Sequence, residues 1–188
     1  MTRKLNRHVI IAGTPRSGKT TLCLELAKFG FLHYRMDPIK RALCEICKWD
    51  PHDWDSFTPK MAKIIEIILK ESKSDTVYSK EYYAIDTCHL YPKDVSKIRD
   101  EALIIYLGYK DTSPKEKVIE MRKHDESFYW CKNLSDEKLE RMALANIKLS
   151  KKLAQECKKY NIQYFDTSYK REEVLKEALD YVLENCAQ

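Results

Sequence analysis

Glycine is scarce in this chain: Gly13, Gly18, Gly30 and Gly108 are all that 188 residues contain. No G-x-G-x-x-G dinucleotide fingerprint can be assembled from them. A D-x-x-G switch needs an aspartate three positions before a glycine, and those positions hold Ile10, Pro15, Ala27 and Ile105. No N-K-x-D guanine-reading motif occurs, which together argues against a regulatory GTPase. There is also no run of about 18 apolar residues, so no membrane helix is expected. The basic start Met1–Arg7 leads into only five residues of apolar character and reads as the approach to a core strand, not as a secretory leader. Pro/Gly/Ser linkers, internal repeats and low-complexity tracts are missing, so residues 1–188 are expected to form one domain.

Charge is plentiful but unsegregated. The 34 basic and 29 acidic residues interleave, as in Lys115-Glu116-Lys117 and Asp136-Glu137-Lys138. A nucleic-acid binder concentrates its basic residues on one face or segment, so no nucleic-acid partner is expected. The net charge of +5 suits an anionic small substrate or a soluble surface equally. Seven cysteines, an odd number, are scattered along the chain and give no compact disulfide framework. Reduced thiols in the cytoplasm are the simpler expectation. Cys44-Glu45-Ile46-Cys47 invites a zinc reading, but structural zinc takes four ligands and no second pair exists. Cys131 and His52 would have to complete it, and two cysteines three apart on a helix face is the better account.

What the chain does have is Gly13-Thr14-Pro15-Arg16-Ser17-Gly18-Lys19-Thr20, a complete G-x-x-x-x-G-K-[ST] motif. It lies between a buried-strand run, His8-Val9-Ile10-Ile11-Ala12, and a helical pattern opening at Thr21-Leu22-Cys23. Strand, loop and helix are the context the motif requires. Backbone N–H groups of such a loop and helix N-terminus converge on phosphate oxygens. Lys19 is placed to reach the β- and γ-phosphates, and the Thr20 hydroxyl to take one Mg²⁺ position. Gly18 allows the turn to pass close to the phosphates. The residues imply a nucleoside triphosphate site comprising Gly13, Thr14, Pro15, Arg16, Ser17, Gly18, Lys19, Thr20 and Thr21.

Further strands are predicted at Phe31–Met36, Tyr82–Asp86, Ala102–Leu107 and Ile162–Phe165. Helical patterns fill the gaps: Asp37–Lys48, Pro59–Glu71, Pro114–Lys123, Ser135–Tyr160 and Arg171–Leu183. Alternating strands and helices predict an α/β fold, a five-stranded parallel sheet with helices on both faces. Ser113-Pro114-Lys115-Glu116 and Ser135-Asp136-Glu137-Lys138 carry helix-start signals.

With the phosphate loop, the short length, the segment order and a late strand followed by Asp166-Thr167-Ser168, the chain resembles the P-loop kinases of nucleotides and small metabolites. These form the adenylate-kinase-like and shikimate-kinase-like group. The resemblance implies a three-layer P-loop NTPase fold, an acceptor-binding insert at about 37–80, a short lid at about 122–141, and ATP with Mg²⁺ as cofactors. It makes Thr167, Ser168 and Tyr169 adenine neighbours, with an N-cap for the last helix as an equal alternative. It makes Asp37, where the second strand ends at Tyr34-Arg35-Met36-Asp37-Pro38, the carboxylate that receives or orients the acceptor hydroxyl. A helix-capping role for Asp37 stands beside that one. Arg35, Lys40 and Arg41 are candidates for an acidic group on the acceptor, or else a solvated face. Asp86, an acid after the apolar run Tyr83-Ala84-Ile85, is the candidate partner of Mg²⁺. His89 follows it in the same cleft.

The group supplies arginines from its lid. Arg122 is the first candidate here for stabilising transition-state charge and Arg141 the second, flanking the irregular segment His124–Leu134. Lys123, Lys132 and Lys138 outnumber them, and lysine lacks the bidentate fork that suits a monophosphate acceptor. Trp49, Trp54 and Phe57 could stack on a substrate ring or simply pack the insert onto the sheet. The leading expectation is an ATP-dependent kinase of a small molecule, acceptor hydroxyl or phosphate, acting as a monomer or homodimer without membrane or nucleic acid. Alternatives are a nucleoside monophosphate kinase and a nucleotide-binding switch or ATPase acting on a protein partner.

Overall fold

The computed structural model describes residues 4–74, 81–123 and 133–187. Strands β1 (His8–Gly13), β2 (Phe31–Arg35), β3 (Tyr82–Asp86), β4 (Ala102–Gly108) and β5 (Gln163–Asp166) form one sheet in the order β2-β3-β1-β4-β5. All four pairings are parallel. Alternation along the strands divides the core. Val9, Ile11, Ala84, Ile105 and Leu107 face one layer, which holds α1 (Lys19–Ala27) and α7 (Arg171–Cys186). Ile10, Ala12, Ile85, Ile104 and Tyr106 face the other, which holds α3 (Trp54–Ser74), the short α4 (Pro92–Val95) and α6 (Asp136–Tyr160). Central β1 is buried on every residue, as a strand covered on both faces must be. Among the described residues no helix is long and apolar enough to cross a membrane.

Local signals set most boundaries. In α5 (Pro114–Lys123) Ser113 Oγ accepts from Glu116 N at 3.2 Å, while Glu116 Oε2 accepts from Ser113 N at 2.8 Å, a reciprocal capping box. The helix α6 starts at Ser135, whose hydroxyl accepts from Lys138 N, and stops at Asn161 in the left-handed region.

Two expectations need correction. The helix α3 begins at Trp54, not Pro59, because Asp53 caps it: its carboxylate accepts from Ser56 N and its carbonyl from Phe57 N. Pro59 is thereby inside the helix, where it lacks the N–H that would bond the Asp55 carbonyl. The helix α2 (Asp37–Ile46) ends two residues early, and Lys48 turns out with φ 55°.

The strands' carboxyl ends, Gly13, Arg35, Asp86, Gly108 and Asp166, lie along one edge of the sheet. The connections that leave the neighbouring strands β1 and β3 run in opposite directions across the sheet, to β2 and to β4, and ligands bind in α/β sheets at such a place.

Candidate active site

The loop from Gly13 to Lys19 is bound to the body of the protein by its own backbone. Gly13 has φ 134°, and a Cβ there would sit 1.9 Å from the Leu107 carbonyl oxygen. Only glycine lets the loop lie against β4. Thr14 N donates to that same carbonyl at 3.1 Å. The next three carbonyls are taken from outside the loop. Tyr109 Oη donates to Pro15 O at 2.8 Å, Lys117 Nζ to Arg16 O at 3.0 Å, and Thr167 Oγ1 to Ser17 O at 3.3 Å. In a planar trans peptide the C=O and the following N–H point opposite ways. Holding these carbonyls outward therefore turns the amides of residues 16–18 toward the pocket side, where they suit an anion.

That pocket is lined by Pro15, Arg16, Gly18, Lys19, Thr20 and Thr21 of the loop and α1, with Asp37, Asp86, Cys88, Glu120, Met121 and Arg171. Lys19 is 4% exposed and lies back on its own loop, donating to Thr14 O at 2.7 Å. Burial by itself would lower its pKa, but Cys88, Asp86 and Asp37 outweigh burial and hold it above the ordinary lysine value. The ammonium is therefore charged. Thr20 Oγ1 donates to Asp86 Oδ2 at 2.5 Å. Two hard oxygen donors thus stand together beside Lys19, the kind of pair Mg²⁺ takes along with phosphate oxygens. Ser17 Oγ and Arg171 Nε are buried without a hydrogen-bond partner among the described residues. A polyphosphate with Mg²⁺ fits this donor set.

Asp37 lines the phosphate pocket and also a second one, formed with Pro15, Lys40, Cys88, His89, Met142, Ala145 and Asn146. It caps nothing: the N-cap of α2 is Met36, and no side chain closes that end. The capping alternative for Asp37 is thus not realised, and its carboxylate stands between the two pockets. His89 is packed against Trp54 and Phe57, with ring centroids 5.4 and 5.5 Å away. Burial, helped by Lys40, pushes its pKa down to about 4. It is a neutral imidazole at neutral pH.

A third hollow, between α5 and the turn before α7, is lined by Thr112, Glu116, Glu120, Thr167, Ser168, Tyr169, Lys170 and Arg171. Thr167 is 1% exposed and committed to the Ser17 and Gly108 carbonyls. Ser168 Oγ bonds Asp166 and accepts from Asp111 N. Neither caps α7, whose N-cap is Lys170 in the left-handed region with no side-chain bond. Tyr169 stays 59% exposed, its hydroxyl donating to Asp111 O.

Other sequence candidates are placed elsewhere. Arg35 and Arg41 are exposed and line none of the three hollows. Trp49 packs edge-on to Phe57 under Lys60, and Trp54 packs on Tyr91 and His89. Both tryptophans pack against the core on the α3, α4 and α6 side of the sheet and line none of the three hollows. Arg122 is bound to Asp136 at 2.6 Å and to the Leu134 carbonyl at 2.6 Å, bracing α5 to α6. Arg141 is exposed on α6, one position before the Met142 that lines the second pocket. The intervening 124–132, including Cys131, lies outside the described residues. Cys44 is half-buried and Cys47 exposed.

Sequence reading passed over Lys117, Glu120 and Arg171. Lys117 is 1% exposed, its ammonium 3.9 Å from the Tyr109 ring centroid and bonded to Glu120 at 2.5 Å. Burial lowers its pKa and Glu120 opposes that. A lysine beside Val118 and Met121 on the buried face of an amphipathic helix was the available signal.

No family model matches the chain, and no curated protein matches it in sequence. Solved structures do match its fold. A gluconokinase from Sinorhizobium meliloti 1021 superposes with TM-score 0.56 at 14% identity, covering 98% of this chain and 95% of its own. A shikimate kinase from Acinetobacter baumannii in complex with shikimate gives 0.51 at 14%, covering 95% and 94%. Another from Bacteroides thetaiotaomicron gives 0.50 at 12%, covering 95% and 97%. The chain thus has the three-layer fold of the shikimate-kinase-like P-loop kinases.

Proposed function

We propose that the protein is a kinase that moves the γ-phosphoryl group of ATP to a small-molecule acceptor. The observation that carries this is Asp37, an uncommitted carboxylate shared by the phosphate pocket and the pocket beyond it. An acceptor seated against Lys40, His89 and Asn146 has its nucleophilic oxygen beside Asp37 and faces the phosphates held by the loop. Asp37 takes or orients the proton of that oxygen. Lys19 follows the charge of the transferring group. Thr20 and Asp86 would hold Mg²⁺, which when bound supplies charge neutralisation across the phosphates. Thr87 to Tyr91 and the 37–74 helices form the acceptor side, in one domain with the nucleotide half.

The fold neighbours favour the same reading, since they include a gluconokinase and shikimate kinases. Lys40 is the only lysine or arginine lining the acceptor pocket among the described residues. A dianionic monophosphate would face that single cation and the Asp37 carboxylate. A hydroxyl acceptor is therefore preferred over a nucleoside monophosphate.

The test is ADP release from MgATP across a panel of hydroxylated metabolites and nucleoside monophosphates, with Lys19→Ala as the inactive control. Release that depends on one hydroxylated acceptor and vanishes in the control supports the proposal. ATP hydrolysis indifferent to every acceptor sinks it in favour of an ATPase module.

A further inference from the structure

Two residues belong both to the phosphate pocket and to the hollow between α5 and α7: Glu120 and Arg171. A nucleotide with its base in that hollow and its β- and γ-phosphates at Lys19 must pass between them. The part that passes is the ribose and α-phosphate. A carboxylate there is unexpected, because it opposes the ligand's charge.

The two are held to each other, but poorly. Arg171 Nε stands 3.5 Å from Glu120 Oε1 and is buried without a hydrogen bond. Its Nη2 donates to Thr21 Oγ1 at 3.2 Å, and a Cβ on Gly18 would lie 3.3 Å from it. The guanidinium thus rests on the loop with an unsatisfied donor. The other Glu120 oxygen is firmly held, by buried Lys117 at 2.5 Å. Lys117 in turn holds the Arg16 carbonyl, and Arg16 Nη2 holds Met121 O. Glu120 is therefore fixed in place by α5 and the loop, while Arg171 is free to change partner.

We infer that Glu120 is a place-holding anion: it keeps Arg171 at the pocket in the unliganded protein, and the α-phosphate of bound nucleotide takes Arg171 over. This rests on the reading of the phosphate pocket as a nucleotide site. Arg171 is then a phosphate-binding residue, and Glu120 a positioning residue that sets how tightly any nucleotide is held. A bidentate guanidinium–phosphate contact replaces a single long ion pair. Because the α-phosphate is common to both ligands, ATP and ADP are affected alike.

The experiment is calorimetric titration of the full chain with MgATP and with ADP, for wild type, Arg171→Gln, Glu120→Gln and the double variant, with melting temperatures alongside. Arg171→Gln is expected to weaken both nucleotides by about tenfold, with their ratio unchanged. Glu120→Gln keeps an acceptor for Lys117 and removes the opposing charge, so it is expected to tighten both by about threefold. In the Arg171→Gln background that gain should shrink. Wild-type-like affinity in Arg171→Gln overturns the inference, as does weakened or unchanged binding in a folded Glu120→Gln. Should Glu120→Gln fail to fold, Arg171→Gln decides alone, since it disturbs no buried lysine. If wild type binds neither nucleotide, it is the underlying nucleotide reading that fails.

Discussion

Replacing Asp37 by asparagine separates chemistry from architecture because of where the residue sits in α2. Met36 is the N-cap and no side chain closes the helix, so the substitution removes no capping bond. What it removes from the fold is one negative charge in the first turn, a helix-dipole interaction of about 0.3–1 kcal/mol at an exposed position. For a chain of this size that is a melting shift of at most about 4 °C. The expected loss of turnover is of another order. A positioned general base contributes about 10²–10⁴-fold, which is about 2.7–5.5 kcal/mol of barrier. ATP affinity should barely move, because in the proposed site the loop amides and Lys19 would hold the phosphates. The assay needs an accepted acceptor, found by coupled ADP release; turnover, ATP affinity and melting temperature are then read on one preparation. Full turnover in Asp37→Asn at unchanged stability would refute the catalytic role and point to a phosphate-type acceptor that needs no base.

Asp86→Asn should weaken binding of Mg²⁺-nucleotide more than of nucleotide in chelator, since Thr20 loses its charged partner at 2.5 Å; equal losses would make Asp86 purely structural. Thr167→Val is nearly isosteric and deprives the Ser17 carbonyl of its donor, while Gly108 O keeps the Thr167 amide at 2.7 Å. It should cost about 1–2 kcal/mol of stability and lower the melting temperature, and a large affinity loss without destabilisation would instead mean that the hydroxyl touches nucleotide. His89 carries a pH signature. Its pKa falls to about 4 in the folded protein against about 6.5 unfolded, so between those values the unfolded chain binds the extra proton. Stability must then fall as pH drops through that window, by up to about 3 kcal/mol. Denaturant melts from pH 7 to 4 should show this slope in wild type and a shallower one in His89→Gln, whereas parallel curves would mean the ring is not held neutral.

How much of this was legible depends on whether the cause is local. The strand–loop–helix around Gly13–Thr20, the apolar run of β1 and the helix start at Ser113–Glu116 are written in consecutive residues, and the sequence carries them. The start of α3 was lost because Pro59 looks like a first-turn proline, while the true cap, Asp53, lies before a tryptophan that could equally serve a substrate. The same ambiguity covered Trp49 and Trp54: ring-stacking on a ligand and packing on a sheet ask for the same residue types. The structure places Trp49 against Phe57 at 5.9 Å and Trp54 against Tyr91 at 5.1 Å. The sequence places Arg122 near the expected lid but does not show its ion pair with Asp136, fourteen residues on.

The residues that fasten the loop, Tyr109, Lys117 and Thr167, lie roughly 95 to 150 residues from the carbonyls they hold, and no local pattern links them. One of them nonetheless broke a rule in plain view. A lysine on the apolar face of α5 is costly unless paired and bonded, and a folded chain keeps it only if something needs the charge there. Lys117 is both paired and bonded, with Glu120, the Arg16 carbonyl and the Tyr109 ring as its surroundings. Where local propensity and the fold disagree, a functional or strained place is expected. Here that place is the junction of α5 with the phosphate loop, where Glu120 and Arg171 also stand.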